Sequence, residues 1–193
     1  MASINIRQFS DPWKFVSWCV MNDLDPIKPI NDNGNENYNY CQTLLQVLLS
    51  RTINCVDASI IVHNICKWLG YPHKLGWMKW IVTEDKSIGH FICIFEYNKK
   101  YYATQFKSSR YAYVREYDSY EEALEKEADE MKESIDYKLR YHTKQLLALL
   151  GDEYLDIVDK IDITKYRQID IIRMFGKLDP FKGEWFPPEE DQS

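Results

Sequence analysis

The chain has 193 residues, 45% of them hydrophobic and 28% charged, and carries a formal net charge of −6 at pH 7. That length suffices for one buried core and a smaller appendage. The acidic balance supplies no basic stripe to displace counterions, which argues against nucleic acid or an anionic membrane surface as a partner.

At the start, Met1-Ala-Ser-Ile-Asn lacks the charged-then-apolar pattern of a leader, and no later apolar run approaches the ~18 residues that cross a bilayer, so a cytoplasmic, soluble protein is expected. Ser10-Asp11-Pro12 opens an amphipathic helix through about Met21, with Trp13, Phe15, Val16, Cys19 and Val20 as its apolar side. Asp25 to Pro29 and Asn31 to Asn35 form a long polar loop, and Tyr40 to Leu49 a second helix. The five cysteines, at 19, 41, 55, 66 and 93, form no close pairs, and four lie in apolar runs. Such a set suits reduced thiols better than a disulfide framework. Neither Cys-x-x-Cys nor His-x-x-x-His spacing occurs, so no metal and no cofactor are expected.

The next segment carries the chemistry. Asn54 is a good N-cap, Asp57 lies three residues on, Gly70 suits a left-handed C-terminal position and Pro72 forbids continuation, which predicts a helix from Cys55 to Leu69. At about 100° per residue its apolar sector holds Ala58, Ile61, Val62, Ile65, Cys66, Trp68 and Leu69, with Asp57, His63, Asn64 and Lys67 opposite. Cys55 falls at the edge of that sector, where the positive end of the helix macrodipole favours a thiolate. His63 lies on another face about 12 Å along the axis and is read as a rim residue; His73 and His142 are read as solvated.

Leu75 to Val82 and His90 to Tyr97 follow as strands, and Asn98-Lys99 makes a two-residue turn into Tyr101 to Phe106. With that turn Tyr97 opposes Lys100, and parity places His90, Ile92, Ile94, Ala103, Gln105 and Lys107 on one face. Gln105 is then diagonal to His90. Trp77 and Trp80, on the neighbouring strand, are candidates to line a groove for an extended peptide. Tyr111, Tyr113 and Tyr117 alternate as one face of a further strand. Ser119-Tyr-Glu-Glu122 starts a long helical stretch running to Leu150, its acidic part read as a solvated face, with Gly151 as its stop. Asp152 to Ile161 and Ile163 to Phe175 are expected as two more helices, and residues 183–193 as a tail in which Trp185 and Phe186 are the anchoring candidates.

Asn54-Cys55-Val-Asp57-Ala58 before the helix, Leu69-Gly70-Tyr71-Pro72 after it, Gly89-His90-Phe91 opening a strand and Tyr101 to Gln105 on the next resemble, in that order, the transglutaminase-like superfamily of papain relatives. The resemblance covers roughly residues 38 to 110. It implies an α+β fold with a nucleophile helix packed on a small antiparallel sheet, here as a core over 1–118 including the N-terminal helix, a helical extension over 119–182 and the tail. It also implies Cys55 as nucleophile, His90 as general base and acid, and position 105 as the residue orienting the imidazole. The family has Asp or Asn where this chain has Gln105, which accepts a hydrogen bond but brings no charge to stabilise an imidazolium. The expected activity is acyl transfer from a peptide or protein substrate through a thioester, as a peptidase, amidase, deamidase or cross-linker. Its oxyanion would meet the Cys55 backbone N–H, with Asn54, Gln42 and Gln46 as candidate side-chain contributors. A catalytically silent version of the fold acting as a protein-binding module is the alternative.

Overall fold

The computed structural model describes residues 9–22, 24–26, 41–83, 86–106, 112–133 and 144–166. The polar loop over 31–35, Lys107, Tyr111, His142, most of the expected helix beyond Ile163 and the tail with Trp185 and Phe186 lie outside them.

The chain is mixed α+β. Helices α1 (Pro12–Met21), α2 (Leu44–Ser50), α3 (Cys55–Leu69), α4 (Tyr120–Glu133) and α5 (Asp152–Lys160) accompany strands β1 (Asp25–Pro26), β2 (Thr52–Ile53), β3 (His73–Thr83), β4 (Lys86–Tyr97), β5 (Lys100–Phe106), β6 (Ala112–Tyr117) and β7 (Lys144–Leu150). The last five strands form one antiparallel sheet in the order β6-β5-β4-β3-β7, and β1 pairs in parallel with β2.

Pleat alternation divides the sheet's side chains between two layers. Leu75, Trp77, Phe91, Cys93, Phe95 and Phe106 share a buried cluster with Phe15 of α1, Val56 to Cys66 of α3 and Val158 of α5. Met78, Trp80, Ile92, Ile94, Ala103 and Tyr117 face the other way, onto Ala123, Leu124 and Ala128 of α4. Gly76 lets α4 approach closely, because a Cβ there would sit 2.8 Å from Leu124 Cδ1.

The α3 helix ends where its local signals place it. Asn54 Oδ1 accepts from the N–H groups of Val56 and Asp57 at 2.8 and 3.0 Å, and Gly70 closes the helix at φ 71°. Tyr97 opposes Lys100 across a turn in which Asn98 and Lys99 both have positive φ, 51° and 62°, as a type I′ hairpin requires.

Residues 144–150 overturn an expectation. They form β7, which pairs with β3 from Leu75↔Leu150 to Ile81↔Lys144, rather than the end of a long helix. The region after residue 118 is therefore not a purely helical extension: α4 covers the second face of the sheet and β7 completes its edge. A further departure concerns Trp68, which is 70% exposed despite its place in the apolar sector of α3.

Candidate active site

The site lies where β4 and β5 part. In a two-residue hairpin closed by Tyr97↔Lys100, every second residue of β4 bonds across to β5, so Phe91 would pair with Phe106. Pairing instead ends at Cys93↔Thr104. Both main-chain donors of the missing rung are diverted: the Phe91 N–H to the Cys55 sulfur, and the Phe106 N–H to Gln105 Oε1 at 3.1 Å. The N-terminus of α3 thus abuts a fork in the sheet, at the peptide that follows His90.

Cys55 is partly exposed as a residue, but its thiol is sunk into packing. Burial pushes the thiol up to about 11; the N–H groups of Phe91, Cys55 and Val56 oppose this, and Asp57 reinforces it. Burial therefore outweighs the helix dipole, and the resting sulfur is a protonated thiol rather than the thiolate that its position at a helix N-terminus suggests.

His90 is buried, and pleat alternation puts it on the α4 face with Ile92, opposite the layer that contains α3. Its Nε2 is hydrogen-bonded to Gln105 Oε1, the diagonal neighbour that the turn geometry selects. His90 and Gln105 are thus brought together, while Cys55 reaches the same fork from the α3 side and touches the strand at its backbone.

The side-chain amides considered for an oxyanion have other duties. Asn54 caps α3 and donates from Nδ2 to Asp57 Oδ2 at 2.5 Å. Gln42 donates to Thr52 O at 3.3 Å and to Asp57 Oδ2 at 3.4 Å, and accepts from the Ser50 hydroxyl at 2.9 Å. Gln46 is exposed and completes a capping box with Thr43. Asp57 itself is fully buried, and its carboxyl is pushed up to about 7 by burial, against bonds from Gln42 and Asn54.

The two tryptophans are core rather than groove. Trp77 is 2% exposed and stacks on Phe91 at 5.8 Å on the α3 face, while Trp80 is fully buried on the α4 face and donates to Gln145 Oε1 at 3.0 Å. Residues two apart on a strand normally share a face, but Trp77 and Trp80 are three apart. A cleft of roughly 510 Å³ instead runs along α3 between Leu44, Ile60, Ile65, Trp68, Val158 and Phe9, away from Cys55.

The structure places two histidines more deeply than the sequence pattern implies. His63, expected at a rim, is 1% exposed: its Nδ1 is 2.8 Å from His73 Nε2 and its Nε2 3.0 Å from Asp159 Oδ1. His73, expected to be solvated, is part-buried and bonds through Nδ1 to the Tyr71 carbonyl at 2.7 Å. A carbonyl and a carboxylate only accept, so His73 Nδ1–H donates to Tyr71 and His63 Nε2–H donates to Asp159, while one hydrogen is shared between His63 Nδ1 and His73 Nε2. Lys67 Nζ, 2.5 Å from the other carboxylate oxygen, completes the pairing, with Asp152 as a further acidic neighbour of His73.

The pH response of this latch follows from two shifts. Burial holds His73 below its ordinary value, so the unfolded chain gains a proton that the fold refuses, and stability falls as pH drops below about 6.5. Burial alone would raise Asp159, but the hydrogen bonds from Lys67 and His63 prevail and lower it. Its contribution is therefore present above about pH 4 and lost as pH falls through the lowered value. Asp159→Ala is expected to cost about 1–3 kcal/mol at pH 7 and almost nothing near pH 2, with the His73 step retained. Urea unfolding across that range checks this, and a deficit independent of pH would contradict it.

Among the described residues, no group of three or more His, Cys, Asp or Glu side chains is placed to hold a metal ion, and no helix is long and apolar enough to cross a membrane. Compared with known proteins, the chain matches no family model, no curated protein and no solved structure.

Proposed function

We propose that this chain is a cysteine-dependent acyl-transfer enzyme acting on a peptide or amide carbonyl, with the transglutaminase-like arrangement its sequence resembles. One observation carries the reading: the Cys55 sulfur, at the N-terminus of α3, takes the N–H of the residue that follows His90 at an unpaired fork, while His90 is held by Gln105. The imidazole lies on the α4 face of the splay between β4 and β5 and the sulfur on its α3 side, and the reading requires the two to meet through it.

His90 removes the thiol proton as sulfur attacks the carbonyl carbon, and the oxyanion is received by main-chain N–H groups at the α3 terminus. The imidazolium then returns its proton to the departing amine or ammonia, leaving a thioester. Water or a second amine, deprotonated by His90, then attacks the thioester carbon, the C–S bond breaks, and the imidazolium returns that proton to the departing Cys55 sulfur. Because the resting thiol is protonated, His90 acts as a general base during attack rather than as the partner of a standing thiolate.

The raised thiol and the neutral amide of Gln105 on the imidazole favour a second reading, a silent protein-binding module built on the same fold. Dilute iodoacetamide at pH 7, with the labelled cysteine located by peptide mapping, separates the two. Cys19, Cys41, Cys66 and Cys93 are buried, so label is expected at Cys55. His90→Ala should slow it by about 10²–10⁴-fold. Equal rates in both proteins would remove the enzyme reading and leave the module.

A further inference from the structure

What stands behind Gln105 decides which end of its amide faces the imidazole. Gln105 Nε2 donates to Glu127 Oε2 at 3.0 Å, and Oε1 accepts from Phe106 N–H at 3.1 Å and from His90. Glu127 is fully buried, although it belongs to the acidic run of α4. It also accepts from the Tyr113 hydroxyl at 2.8 Å and the Tyr117 hydroxyl at 2.5 Å, and the Arg115 guanidinium lies 4.0 Å away. The Glu127 carboxyl thus accepts at both oxygens, from three donors, beside a cation.

The amide therefore has one orientation. Turning it over would set its NH₂ against the Phe106 N–H and its oxygen against the Glu127 carboxyl oxygen, two buried mismatches. With Oε1 fixed towards the ring, His90 Nε2 must carry hydrogen, and in the neutral imidazole the lone pair is then at Nδ1. A glutamine without such backing accepts or donates equally well and selects neither tautomer.

We propose that Glu127 is a positioning residue: acting through Gln105, it holds His90 in the tautomer whose basic nitrogen is Nδ1, so that the Gln105–Glu127 pair does the work of a single carboxylate placed one amide further from the ring. The consequence for chemistry rests on the reading of Cys55 and His90 as a reacting pair. The tautomer itself does not, because it is measurable without turnover.

Long-range ¹H–¹⁵N spectra of His90 at alkaline pH read the tautomer directly. The wild-type protein shows hydrogen on Nε2. Glu127→Gln removes the acceptor-only group behind the position 105 amide and leaves the Phe106 N–H alone to orient it, so its His90 shows a mixture with hydrogen on Nδ1, and the His90-dependent part of Cys55 alkylation falls by the same fraction. The exchanged double variant Q105E/E127Q puts the carboxylate against the ring and the amide behind it, with the Tyr113 hydroxyl donating to Glu130 Oε1, 3.2 Å away, in place of Glu127 Oε2. It restores both the Nε2–H form and the alkylation. Should Glu127→Gln fail to fold, the exchanged variant decides: folded with hydrogen on Nε2 it supports the relay, and with hydrogen on Nδ1 it overturns it. Glu127→Gln that keeps Nε2–H overturns the relay even where alkylation still needs His90. A changed tautomer, with alkylation equal in wild type and His90→Ala, upholds the relay and removes the enzyme reading instead.

Discussion

Phe95→Ala is expected to lower stability by about 3–5 kcal/mol, a large part of the margin of a domain this size. Phe95 is fully buried near the C-terminal end of β4, the middle strand of the sheet, with Trp13 of α1 edge-on at 4.9 Å, Tyr102 of β5 stacked at 5.6 Å and Tyr71, in the turn after α3, stacked at 6.1 Å. Those three rings hang from three different elements. Each is held by further contacts, as Trp13 is by Tyr97 at 5.4 Å, so they cannot close together over the space a lost phenyl leaves. The cost is then the lost burial plus most of a cavity, to which the lost aromatic pairing adds. Urea unfolding measures it. Phe95→Leu, which refills most of the volume, is expected to lose less than half as much, and a loss below about 1 kcal/mol for the alanine variant would show that the rings are not clustered as described.

The parts of the fold legible in the sequence are those fixed by neighbours along the chain. Asn54 and Gly70 bound α3 because a cap and a left-handed stop are local requirements, and the Asn98-Lys99 turn sets the register that puts Gln105 diagonal to His90. Local chemistry alone decided each of these. The run Gln145-Leu-Leu-Ala-Leu-Leu150 is the opposite case: leucine and alanine favour helix, and a segment apolar on every side has no period to read. It becomes a strand because the free edge of β3 bonds its main chain while layers on both faces bury Leu146, Ala148 and Leu150 on one side and cover Leu147 and Leu149 on the other.

The misread polar residues have a common cause. His63 sits on the polar sector of its own helix, and what buries it is Asp159, 96 residues away in sequence. Glu127 was absorbed into a charge run. A positional signal did exist, since it lies four residues after Ala123 and four before Met131, on the stripe with Leu124 and Ala128 that meets the sheet. A carboxylate on an apolar stripe requires buried donors, and Tyr113, Tyr117 and Gln105, on alternating positions of β6 and β5, are those donors. Similarly, the wheel that set Cys55 at a favoured helix terminus carried no information about depth. Depth decides its ionisation.

That depth gives the second large effect. With the thiol raised to about 11, the thiolate fraction at pH 7 is of the order of 10⁻⁴, against a few per cent for an ordinary cysteine. In His90→Ala nothing but hydroxide relieves this, so alkylation of Cys55 should climb tenfold per pH unit, about a thousandfold between pH 7 and pH 10, and level off near 11. The wild-type protein, with an imidazole able to take the proton during attack, should run well above that line at neutral pH and converge with it only as the thiolate itself becomes abundant. Asp57 faces the same sulfur and holds its pKa up, so Asp57→Asn should move the His90→Ala line towards lower pH without changing its slope. Rates at half-unit intervals, read by peptide mapping, give both curves. Two coincident lines of unit slope would mean that the imidazole never reaches the sulfur, whereas a gap that closes as pH rises is what a general base across the fork between β4 and β5 must produce.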